Sequence, residues 1–177
     1  MALRNTFFAN VADKNTDMST VFTGTAGVFD VSADFNNGAV VQVVNGNNYI
    51  GQFTVASGNV DVSSVDATLT SAEIGFDFNV TLTKNPIDVS IAGGPLTGIP
   101  RGVTSVFLDL NNTLSVSVNG TNLIIRNVTD DLSLQQQAFT GKHEFRLLGY
   151  NADPQVTITQ SAPLPLQVNG LIAELVF

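Results

Sequence analysis

Apolar and polar positions alternate most regularly between Ala72 and Arg126. Phe76, Phe78, Val80 and Leu82 fall on one face of a period-2 segment, while Asp77, Asn79, Thr81 and Thr83 fall on the other. This pattern predicts a strand with one dry face and places Phe78 in the core. Asn85-Pro86 and the run from Gly93-Gly94-Pro95 to Gly98-Ile99-Pro100 interrupt it, and residues 103–110, rich in Val, Phe and Leu, resume it. Leu114, Val116 and Val118 then lead into Asn119-Gly120, a pair that tolerates the positive φ of a two-residue turn. Leu123 and Ile125 mark the returning strand of a hairpin.

The rest of the chain extends the same reading. Residues 1–26 are polar and weakly patterned apart from Thr6-Phe7-Phe8, which predicts an N-terminal arm anchored through Phe7 and Phe8 on its own domain or on a neighbouring subunit. Residues 28–33 read as a short strand, Asn36-Asn37-Gly38 as a turn, and residues 39–44 as an apolar run buried on both faces or covered by an interface. Asn45-Gly46-Asn47-Asn48 turns the chain into residues 49–56, and Ser57-Gly58 turns it again. Residues 127–141 are the best helix candidate, with Asp130 and Asp131 able to cap it, although a polar loop fits as well. Residues 144–150 alternate, Asn151-Ala152-Asp153-Pro154 is a turn, and residues 166–177 form a closing strand after Pro163 and Pro165. Turns every eight to twelve residues predict an all-β fold, an antiparallel β-sandwich or barrel-like domain. No repeat of solenoid length and no Gly, Ser or Pro linker stands out, so residues 27–177 read as one domain.

Composition narrows the chemistry. Only 12% of the 177 residues are charged, about half the usual globular share, and such a surface suits packed assemblies. Fifteen acidic against seven basic residues leave a net charge of −8, which disfavours gripping a phosphate backbone or an anionic membrane. There is no Cys to form disulfides or thiolate metal sites, and no apolar run of the ~20 residues that span a bilayer. A soluble protein is expected. His143 is the one histidine, and strand alternation sends it and Glu144 to opposite faces. Asp30 and Asp34, with Asn36 and Asn37, lack calcium-loop spacing and read as turn formers. No nucleophile elbow or phosphate loop is present, so neither an enzyme nor a cofactor is expected.

Three groups of short motifs, in order, resemble the C-terminal domain of the tail nozzle proteins of short-tailed bacteriophages, the tail tubular protein B family. They are Gly38-Ala39-Val40-Val41 through Phe53-Thr54-Val55-Ala56-Ser57-Gly58-Asn59-Val60; Ile74-Gly75-Phe76-Asp77-Phe78 with Gly93-Gly94-Pro95-Leu96-Thr97-Gly98 and the strand after it; and Leu148-Gly149-Tyr150-Asn151-Ala152-Asp153-Pro154-Gln155-Val156-Thr157-Ile158-Thr159-Gln160 followed by Pro163-Leu164-Pro165-Leu166. The resemblance covers residues 27–177. It implies a virion structural protein of the tail, assembled in the bacterial cytoplasm as a homo-oligomer, usually a hexameric ring, with other tail proteins as partners. DNA would pass through without specific binding. Family members are commonly longer and carry a basic cluster after the Gly-rich loop. Here Arg101 alone remains of it, as an interface candidate beside Phe7 and Phe8. The alternatives are a capsid decoration protein and a receptor- or carbohydrate-binding tail module, the latter weakened by the absence of Trp.

Overall fold

The computed structural model describes residues 16–86, 90–91, 94–95, 101–126, 128–131, 134–147, 150–151, 154–160 and 162–176. Every strand pairing among them is antiparallel, and the sheets pack face to face as in a sandwich. The chain divides into two compact units, Met1–Phe78 with Ala162–Leu164, and Asn79–Ser161 with Pro165–Phe177. Part of the expected arm, residues 17–23, is a strand of the first unit. Strand β1 (Asp17–Thr23) is already hydrogen-bonded into the first sheet, and the boundary after Phe78 carries no breaker residue to announce it. Residues 1–15, with Phe7 and Phe8, lie outside the described residues.

The first unit continues with β2 (Val28–Asp30), β3 (Val40–Asn45), β4 (Asn48–Thr54), β5 (Asn59–Asp61) and β6 (Ser71–Phe76). A four-stranded sheet runs in the order β1-β6-β3-β4, and the short ladder β2-β5 lies against it. Alternate residues of the central strands, Val41, Val43, Ala72 and Ile74, meet Phe29, Val31, Val60 and Val62 in a dry core. Of the apolar run at 39–44, residues 41–44 are buried, as the lack of alternation predicts, while Ala39 is partly buried and Val40 is 47% exposed.

This unit is a duplication. Every strand boundary of β1, β2 and β3 recurs 31 residues later in β4, β5 and β6. Exchanging the halves maps the ladder Phe22↔Ala72 onto Phe53↔Val41, and Thr23↔Ser71 onto Thr54↔Val40. The pairs Val43↔Ile74 and Phe29↔Val60 map onto themselves and lie on the pseudo-twofold axis. Turns repeat as well. Ala26-Gly27 and Ser57-Gly58 both take positive φ, and the N–H of Val31 donates to Gly58 O as that of Val62 donates to Gly27 O. A Cβ on Gly27 would stand 2.9 Å from Ser63 Cα, and one on Gly58 would stand 2.8 Å from Ser32 Cβ, so both close approaches demand glycine. The sequence hides the repeat because only Phe22/Phe53, Thr23/Thr54, Gly27/Gly58, Asp30/Asp61, Val31/Val62 and Ser32/Ser63 are identical between twin positions. The expectation that the chain lacks a repeat is corrected on this point.

The second unit holds β7 (Val80–Thr83), the short pair β8 (Ser90–Ile91) and β9 (Gly94–Pro95), β10 (Arg101–Thr113), β11 (Ser117–Val118), β12 (Thr121–Asn122), β13 (Phe139–Arg146), β14 (Tyr150–Asn151), β15 (Thr157–Gln160) and β16 (Val168–Val176). The 13-residue β10 carries β16 along one edge and β13 and β14 along the other. Its Val106, Leu108 and Leu110 join Phe145, Val116, Val118 and Ile158, the last three from the β12-β11-β15-β7 side, in a second core. Asn119 and Gly120 take φ of 46° and 85° in the expected hairpin.

One expectation fails here, and one open alternative narrows. The alternation from Phe76 to Leu82 is two strands, β6 and β7, separated by three residues without strand pairing. Phe78 is 42% exposed, outside the core. Period 2 is preserved across the break, so the pattern reads as continuous. No helix occurs among the described residues of 127–141, where turns and bends lead into β13. The apolar face there is too thin to hold a helix against a core.

Candidate interaction surfaces

The titratable residues singled out from the sequence are engaged in packing and turns. Strand β13 points His143 to the same side as Phe139 and Phe145, with ring centroids 5.8 and 4.8 Å away and ring planes nearly perpendicular. Opposite it in the ladder is the buried Leu108. The imidazole thus fills a place in an aromatic row along the core-facing side of the strand. Glu144, on the other face, is exposed and meets Arg146 at 3.3 Å, an ion pair too solvated to contribute much.

Asp30 Oδ1 accepts the backbone N–H of Ser32 at 3.0 Å and its hydroxyl at 2.7 Å. Asp61 holds Ser63 and Asp66 holds Thr68 in the same way. These donors stabilise the ionised carboxylates, first through the side-chain hydroxyl and then the backbone N–H, and lower all three pKa values below the ordinary 3.8. The oxygens are spent on turns, which is why Asp recurs there. Among the described residues no three His, Asp or Glu side chains converge as metal ligands.

Asp130 and Asp131 line an open hollow of about 410 Å³ together with Arg126, Leu134, Gln135 and Gln136. Arg126 Nη2 donates to Leu134 O at 2.8 Å and ties the loop to the end of the hairpin. The lining mixes Ile125 and Leu134 with polar side chains and carries no aromatic platform.

What the molecule does present is strand edge. Strand β7 ends its sheet with Val80 and Leu82 on one side, 39 and 59% exposed. Among the described strands β16 pairs only with β10, and over nine residues it exposes Ile172 (58%) and Val176 (38%). Such edges offer backbone groups and apolar side chains to another strand. The sequence registered both apolar stripes and assigned the one through Phe78 to the interior, since periodicity reports a face and not what covers it. Arg101 opens β10 with its backbone opposite Asn151, and its side chain lies outside what the structure describes. No family model and no curated protein matches this chain.

Proposed function

We propose that the protein is a bacteriophage virion component of the tail, nozzle-like, contributing to the conduit for DNA ejection and performing no catalysis. The reading rests on the ordered motifs, above all the run from Leu148 to Gln160 with Pro163-Leu164-Pro165 after it. The observation of the structure that supports it best is the pair of apolar strand edges on β7 and β16, which suits lateral packing of identical copies. A net charge of −8 is compatible with DNA passing without adhesion. The partners would be further copies in a ring, six by analogy, and other tail proteins. Negative-stain imaging of the purified protein and of intact particles tests this, with rings or tail-located density expected. Monomers in solution, together with label on the head alone, would favour a decoration protein instead.

A further inference from the structure

The ladders of the first unit have a property that the duplication alone does not require. Strand β1 pairs with β6, β2 with β5, and β3 with β4 and β6. Each of these ladders joins a strand of the first half (β1 to β3) to a strand of the second (β4 to β6). Within either half no strand pairs with another of its own half. The core is shared in the same way, with Phe29 of one half opposite Val60 of the other and both fully buried. Each half therefore supplies every strand-ladder partner of the other, while the hydrogen bonds kept within a half belong to its turns, such as Thr25 with Val28 and Ala56 with Asn59. The connection between them is minimal, because Asn45 pairs with Asn48 and only Gly46 and Asn47 make the reversal.

We infer that the first unit is an intertwined dimer fused into one chain, and that its partner is a second copy of this protein. When the 46–47 turn opens, β1–β3 of one chain close on β4–β6 of the other, and the reciprocal pair forms at the same time. Every ladder and both cores of the closed form are rebuilt, so the two forms differ chiefly in two hairpin turns. A short hinge is the element that tips such an exchange, since a connection too short to reverse forces the strand onward into a neighbour. This holds whether or not the protein belongs to a phage tail.

The absence of cysteine gives a clean test in the full chain. Val40 and Thr54 face each other in the β3–β4 ladder and are exposed, so Val40→Cys with Thr54→Cys places two thiols within reach of a disulfide. With the hinge intact at low concentration, oxidation should give an intrachain bond and a monomer on non-reducing gels. Deleting Gly46 and Asn47 in the same background should give a folded, disulfide-linked dimer of twice the mass by light scattering, with the circular-dichroism strand signal retained. Raising the concentration of the undeleted protein before oxidation should increase the dimer fraction. A deletion variant that stays monomeric with an intrachain bond overturns the proposal. So does one that loses its strand signal, because exchange would have preserved every ladder.

Discussion

The two units solve the same problem differently. In the first, six strands are arranged so that every ladder joins one half to its twin, and the axis passes through Val43↔Ile74 and Phe29↔Val60. In the second, β10 is a common spine, with β16 on one side and β13 and β14 on the other. Reciprocal pairing makes the first unit depend on two equivalent halves closing together. A shared spine makes the second depend on one strand. Among the described residues the three Asp carboxylates with lowered pKa all belong to the first unit.

The sharpest way to break this contrast is in the two cores. Phe29→Ala removes a fully buried ring on the axis and should cost about 3–5 kcal/mol in chemical denaturation. Leu108→Ala at the centre of the spine should cost about 2–5 kcal/mol. Hydrogen exchange should assign the lost protection to residues 17–76 in the first case and to β10, β13 and β16 in the second. Loss spread evenly over both units in either variant would erase the distinction.

Asn119→Val is a smaller perturbation. It places a β-branched residue at φ 46°, and removes the Asn119 Oδ1 that accepts the N–H of Thr157 at 2.7 Å and the Nδ2 that donates to Gln155 O. A loss of about 1–3 kcal/mol in denaturant midpoint analysis is expected.

Acid should separate the units next. Because Asp30, Asp61 and Asp66 have folded pKa values below 3.8, the unfolded chain binds protons first as pH falls. Their contribution is complete above the ordinary Asp range and disappears as pH drops through the lowered values. Amides of β2 and β5 should therefore lose exchange protection before those of β10 as pH falls from about 5 toward 3. Replacing the three by Asn should flatten that difference. Phe78→Asp, at an exposed position, should change the unfolding free energy least, within about 0.5 kcal/mol in thermal or chemical denaturation. A large loss there would restore the buried strand face.

The elements legible in the sequence were those fixed by local chemistry. Asn119-Gly120 dictates its own turn, and the nearly unbroken apolar run in β3 reports the burial of residues 41–44 on both faces. The duplication was hidden because its identities sit mainly in a turn, while the cores replace one apolar residue by another: Phe29 answers Val60, and Val43 answers Ile74. The division after Phe78 was hidden because a period-2 pattern survives a three-residue gap. Of the candidate surfaces, the apolar stripes were visible, but whether another layer covers them depends on contacts far apart in sequence.

The twofold arrangement also makes the molecule its own reference. Gln42 and Glu73 occupy corresponding places on the two central strands, yet Tyr49 donates to Gln42 Oε1, while the N–H and hydroxyl of Thr16 donate to Glu73 Oε1. An amide and a carboxylate thus answer the same backbone geometry with different neighbours. Swapping the two side chains would reveal how far divergence has made the copies unable to stand in for each other.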